Sequence, residues 1–129
     1  MRPKLLLTVV ALAAFASAFV MGSATAVTRA PTVVTIKAQN GDFSGTISSP
    51  RPKRCANNRK VIVFKQLGSV QNPAHDTKMG SDISSLNGDR YEWSTGNSGA
   101  PNGKYYARAP QTPNCKADSS KTVRNIRTP

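Results

Sequence analysis

Short runs in which apolar and polar residues alternate cover most of the chain after residue 31. In Thr32–Ala38 every second residue from Val34 onward is apolar, and Phe43–Ser48 alternates Phe, Gly and Ile with Ser and Thr. This period of two is typical of a β-strand with one buried face. Asn40-Gly41 lies between the two runs and is a turn signal because both residues tolerate positive φ. The pattern predicts an opening β-hairpin.

Five further runs complete the predicted strands. Lys60–Lys65 contains four consecutive apolar residues, which indicates a central strand covered on both faces. After residue 26, no stretch of eleven residues keeps its apolar side chains at helical spacing. Regularly spaced short runs with Gly, Pro and Asn between them predict an all-β, antiparallel sandwich of seven strands over residues 32–126. The other four predicted strands are Lys78–Ile83, Arg90–Ser94, Lys104–Ala109 and Lys121–Ile126.

Aromatic residues fall at alternating positions of two predicted strands. Tyr91, Trp93 and Tyr105 occupy positions that we expect to face the core, where large rings bury most area. Tyr106 falls on the opposite face of its strand, so we expect it to be exposed. The alternative is a base-stacking face on an OB-like barrel. The number of strands and the expected export both disfavour that alternative.

The first 26 residues have the parts of a secretory signal peptide. Two basic residues precede an apolar segment, Leu5–Met21, and Ala24-Thr25-Ala26 supplies the small residues that signal peptidase requires. We therefore expect cleavage after Ala26, a short linker at residues 27–31, and a secreted, extracellular protein with no membrane span after cleavage. The alternative is a retained anchor helix, for which the apolar segment is short.

The chain has two cysteines, Cys55 and Cys115, so one intramolecular pairing is possible. Small extracellular domains use disulfides to supplement a modest hydrophobic core. Because we expect the protein to be exported, we expect Cys55 and Cys115 to form a disulfide. On the chain-entropy estimate, a loop of this length stabilises the domain by about 4 kcal/mol.

Several short motifs follow one another along the chain: Gly45-Thr46-Ile47-Ser48, Arg59-Lys60-Val61-Ile62-Val63, Ser81-Asp82, Gly88, Tyr91 and Gly103-Lys104-Tyr105-Tyr106-Ala107. In their order along residues 32–126 they resemble the prealbumin-like, Ig-like β-sandwich of transthyretin-like and carboxypeptidase-regulatory-like modules. They are most similar to small secreted bacterial proteins with the same Cys pair and no assigned function. The resemblance implies this fold and a non-catalytic binding or spacer role. One spacing differs, because extra residues separate Asp82, Gly88 and Tyr91.

Basic residues dominate the charge of the chain. It has 18 Lys and Arg against 6 Asp and Glu, a formal net charge of +12, and the signal peptide accounts for two of these positive charges. Five cations cluster in and just after the predicted loop at residues 49–58, and such a cluster attracts polyanions. Candidate partners are wall polymers, anionic lipid surfaces, glycosaminoglycans and extracellular DNA without sequence specificity. The alternative is a solvated loop that keeps a basic protein soluble. The five candidate residues are Arg51, Lys53, Arg54, Arg59 and Lys60.

Residues for catalysis or metal binding are sparse. His75 is the single histidine and lies in a polar segment, and the six acidic residues are scattered along the chain. A hydrolytic triad or a calcium loop needs such groups in a defined cluster. We therefore expect no catalytic residue, no metal site and no cofactor, and a protein that is not an enzyme. The alternative is a small secreted enzyme or enzyme inhibitor that acts through its loops.

Overall fold

Residues 28–129 form ten β-strands and one helical turn in a computed structural model, which describes this part of the chain. The predicted signal peptide, residues 1–26, lies outside the described residues. In chain order the elements are β1 (Val33–Val34), β2 (Lys37–Gln39), β3 (Asp42–Ser48), α1 (Pro52–Cys55), β4 (Lys60–Lys65), β5 (Thr77–Ile83), β6 (Ser85–Asn87), β7 (Arg90–Asn97), β8 (Gly103–Ala109), β9 (Asp118–Ser119) and β10 (Val123–Asn125).

The strands form two antiparallel sheets. In the first sheet β1 and β2 both pair with β3, β3 pairs with β7, and β6 forms the edge beyond β7. The second sheet has the order β10-β8-β4-β5, and β9 also pairs with β8. The predicted hairpin is confirmed, because β2 and β3 pair across Asn40 and Gly41, whose φ angles are 52° and 84°.

One hydrophobic core receives side chains from both sheets, which gives the fold a sandwich-like arrangement. The first sheet contributes Phe43 and Trp93, and the second contributes Val61, Val63 and Tyr105. The ring centroids of Phe43 and Tyr105 are 4.7 Å apart. The alternation of apolar residues thus correctly places Trp93 and Tyr105 inside, since they are 2% and 0% exposed.

The strand count differs from the predicted seven. The predicted strand Thr32–Ala38 is divided at Thr35-Ile36 into β1 and β2, which pair with β3 in one common register. The extra residues between Asp82 and Gly88 form the edge strand β6. Strand β9 has two residues, too few to produce an alternating pattern. These three changes account for ten strands in the described part of the chain.

Thr35 folds closely over Gly45 at the division between β1 and β2. The hydroxyl of Thr35 accepts a hydrogen bond from the backbone N–H of Thr46 at 2.9 Å, and the Thr35 N–H donates to the carbonyl of Thr46 at 3.0 Å. A Cβ at position 45 would overlap the backbone carbonyl of Thr35 and approach Cζ2 of Trp93 to 3.0 Å. Glycine at this position therefore permits the close approach of the two strands.

We expect Gly45→Ala to lower the free energy of unfolding by about 2 kcal/mol, because the added methyl group overpacks backbone that cannot move independently. Urea denaturation of the variant and the wild type measures the loss. Gly68→Ala is the matched control, since a Cβ there meets no atom within 4 Å. Equal stability of the two variants would contradict the proposed role of Gly45.

Tyr106 is buried, so the expectation that it is exposed is wrong. Tyr106 packs with Ile62 and Phe64 on the outer face of the second sheet. Residues 66–76, which follow β4, lie over this face, and we call them the covering segment. The rings of Phe64 and Tyr106 are stacked with centroids 5.3 Å apart. The Tyr106 hydroxyl donates to Oδ2 of Asp76 at 2.6 Å. This second apolar cluster also confirms that the four apolar residues of β4 are covered on both faces.

Candidate polyanion-binding surface

A helical turn, α1, lies where the sequence predicted a loop. Pro52 occupies the first turn, a favoured place because proline has the φ of a helix and no N–H to satisfy there. The N–H groups of Ala56 and Asn57 both donate to the Pro52 carbonyl at 2.9 Å. A proline that precedes a few good helix formers is the sequence signal for this turn, and four residues are too short to show helical periodicity.

The C-terminal end of α1 is attached covalently to the segment between β8 and β9, where Cys115 lies. The Cys55–Cys115 disulfide is confirmed, with Cα atoms 5.6 Å apart, and both residues are buried. The carbonyl of Ala56 accepts a hydrogen bond from the Ser84 hydroxyl, and the Asn58 N–H donates to the Ser84 carbonyl at 3.1 Å. The turn is therefore held at its end by one covalent bond and by hydrogen bonds.

Four of the five candidate cations are exposed. Three of them, Arg51, Lys53 and Arg54, lie on or just before α1, and Lys60 begins β4. The first turn of α1 contains no acidic residue. We call these four residues the basic helix surface. Their charges lie within ten consecutive residues of the chain, on a segment that the Cys55–Cys115 disulfide attaches to the rest of the domain.

Arg59 is separated from this surface by burial, since it is 3% exposed. Nη1 donates to the Thr32 hydroxyl and the Cys55 carbonyl, each at 3.0 Å. Nη2 donates to the carbonyls of Pro110 at 2.7 Å and Lys116 at 3.0 Å. Burial lowers the pKa of Arg59 from its usual value. The guanidinium therefore joins segments inside the protein, and it is not accessible to a ligand in solution.

Two grooves share part of their lining, and none of the four cations of the basic helix surface lines either groove. The smaller, of about 540 Å³, has Pro52 and Tyr91 in its lining, and we call it the helix-side groove. The larger, of about 1140 Å³, runs along the first sheet past Lys37 and Glu92, and we call it the sheet groove. Arg90 lines both grooves, as do Thr46 and Leu86.

The cations of the grooves were not identified from sequence. Lys37, Arg90 and Lys121 are single basic residues far apart in the chain, and the structure brings all three to the sheet groove. Their one sequence signal is that Lys37 and Arg90 fall on the polar face of alternating strands. That signal marks exposure and cannot indicate which strands lie together.

His75 is exposed in the turn that precedes β5. The neighbouring Asp76 accepts hydrogen bonds from the N–H groups of Leu67 and Asn72 at 3.0 and 2.7 Å, in addition to the Tyr106 hydroxyl. Asp76 therefore fixes the covering segment.

Within residues 28–129, no three His, Cys, Asp or Glu side chains are grouped as a metal ion would require. Residues 28–129 contain no helix that is long and apolar enough to cross a membrane.

Comparisons with known proteins add no relative: neither a protein-family model nor a curated protein sequence matches the chain. The prealbumin-like resemblance thus depends on the short motifs and on the arrangement of two antiparallel sheets.

Proposed function

We propose that this chain is a secreted, non-catalytic binding module that holds extracellular polyanions on its basic helix surface. The observation that carries the proposal is the exposure of Arg51, Lys53 and Arg54 on a turn that Pro52 and the Cys55 disulfide constrain.

The constraint favours binding for an entropic reason. A flexible basic loop loses conformational freedom when an anion fixes it, whereas a turn that is already fixed loses less. Each cation that contacts a phosphate or sulfate also releases condensed counterions from the polymer, and arginine adds paired, charge-assisted hydrogen bonds. A few exposed cations can therefore give useful affinity at low salt.

The proposal includes the fold family of the domain and its location. We assign the domain to the prealbumin-like, Ig-like sandwiches, supported by two antiparallel sheets that share one core. We assign it to the extracellular space after cleavage at Ala26, supported by the buried disulfide, since such bonds persist in oxidising compartments.

A binding role without catalysis is supported by the surroundings of the titratable groups. The single histidine, His75, lies on the surface, while the adjacent Asp76 carboxylate is occupied by three donors. A general base needs an orienting partner and a nucleophile within hydrogen-bond reach. The hydrogen bonds of Asp76 serve the packing of Tyr106 instead.

We expect the wild type to elute from a heparin column at much higher salt than the variant Arg51→Ser/Lys53→Ser/Arg54→Ser. Three lost contacts should reduce the slope of log affinity against log salt by about 2–3 units. A control variant, Lys78→Ser/Arg124→Ser/Arg127→Ser, removes the same charge from other elements and should elute close to the wild type.

Equal elution of the two triple variants would show that net charge alone governs the interaction. The basic helix surface would then be an ordinary solvated segment. Circular dichroism of both variants should match that of the wild type, because the substituted residues are exposed.

A further inference from the structure

We infer that the polyanion is an acidic polysaccharide whose chain continues from the basic helix surface through the helix-side groove into the sheet groove. This inference rests on the proposed function and adds the class of ligand and its path across the protein.

The grooves connect the basic helix surface to the face of the first sheet. Pro52, between Arg51 and Lys53 in α1, is also part of the lining of the helix-side groove. Arg90 is exposed and lines both grooves, so it lies where a bound chain would pass from one to the other. A polymer anchored at α1 would therefore enter the helix-side groove past Pro52 and reach the sheet groove at Arg90.

The chemistry of the sheet groove indicates a ligand with spaced charges and many hydroxyl groups. The lining contains both signs of charge, three cations and two carboxylates: Lys37, Arg90, Lys121, Asp82 and Glu92. Ser and Thr hydroxyls and an amide complete much of the remaining surface. A sugar hydroxyl both donates and accepts, so it can bond to all of these groups. The acidic substituents of the sugar units can then pair with the cations.

The same lining disfavours two other polyanions. Duplex DNA presents phosphate oxygens, which only accept hydrogen bonds and are repelled by the carboxylates of Asp82 and Glu92, whereas a sugar hydroxyl can donate to these carboxylates. Trp93 belongs to the lining but is 2% exposed, so it offers no ring face on which a base could stack. A bilayer surface is too broad to enter a groove between strands.

The size of the path fits a polymer. The sheet groove, at about 1140 Å³, exceeds the range of roughly 300–1,000 Å³ that is typical of pockets for small molecules. It is also open, and its lining residues come from β1, β2, β3, β5, β6 and β7 and from the segments that join strands, including Lys121. Several sugar units can lie in it, in continuation of the units of the same chain that are anchored at α1.

The test measures binding of heparin-derived oligosaccharides of two lengths by fluorescence anisotropy. We expect Arg90→Gln to weaken binding of a dodecasaccharide about tenfold, the loss of one charge-assisted contact. A tetrasaccharide, which is long enough for α1 alone, should bind the variant and the wild type within about twofold. Arg124→Gln is the matched control, because Arg124 is exposed, carries the same charge and lies outside both grooves.

Duplex DNA of matched charge and phosphatidylglycerol vesicles form the other arms of the test. We expect both to bind more weakly than the dodecasaccharide and to respond equally to Arg90→Gln and Arg124→Gln. The inference is overturned if Arg90→Gln behaves like Arg124→Gln with the dodecasaccharide, or if DNA or vesicles bind more tightly. The triple variant of α1 reports separately on the proposed function, because loss of all binding there with no effect of Arg90→Gln would retain the polyanion site and reject its extension.

Discussion

We expect the double variant Cys55→Ser/Cys115→Ser to have a free energy of unfolding about 4 kcal/mol lower than that of the wild type. The disulfide closes a loop with a sequence separation of 60, so its loss restores much conformational freedom to the unfolded chain. The two residues are also 0% and 2% exposed, so the serine hydroxyls would be buried. Guanidinium denaturation of variant and wild type measures the difference.

Reduction of the wild-type disulfide provides the control for this experiment. The reduced protein should lose a similar stability, and the native oxidised protein should not react with a thiol reagent. A loss below about 1 kcal/mol in the double variant would contradict the prediction, because the chain-entropy contribution alone is several times larger.

Arg59→Met is expected to destabilise the fold by about 3–4 kcal/mol. Methionine fills a similar volume and is flexible, so the loss reports on the guanidinium rather than on packing. Without that group, the hydroxyl of Thr32 and three backbone carbonyls lose their donors. The result is measured by urea denaturation.

Lys60→Met is the matched control, since the neighbouring Lys60 is exposed at the start of β4. We expect it to change the stability by no more than about 0.5 kcal/mol. Arg59→Lys should recover part of the stability, because an ammonium group can reach some of the same acceptors but cannot reproduce the planar fork of arginine. Similar stabilities of Arg59→Met and Lys60→Met would disprove the role of Arg59.

The strands with clear patterns were predictable, because β3 and β8 alternate and β4 is continuously apolar. Lys60–Lys65 coincides with β4, and its four consecutive buried residues agree with the predicted central position, which the structure places between β8 and β5. The division of Thr32–Ala38 was not predictable, because it depends on a cross-strand contact between Thr35 and Gly45. The same limit applies to β6 and β9, whose pairing provides the regularity that their short sequences lack.

The candidate site was predictable in part. A cluster of cations in one segment is visible in sequence, and so is a disulfide between two lone cysteines. Burial of Arg59 was hidden, because its acceptors come from residues 32, 55, 110 and 116. Burial of Tyr106 was also hidden, since it requires Asp76 and the segment that covers the second sheet.

The neutral partners of Arg59 have a consequence for the response of the protein to acid. Carbonyl and hydroxyl oxygens do not take up a proton at moderately low pH, so the contacts around the disulfide keep their strength there. Asp76 behaves differently, because the hydrogen bond from Tyr106 is the main cause that lowers its pKa. Its contribution to stability is complete above the ordinary aspartate range and is lost as the pH falls through the lowered pKa. Acidification should therefore weaken the hydrogen bond between Tyr106 and Asp76 before it affects the hydrogen bonds that Arg59 donates.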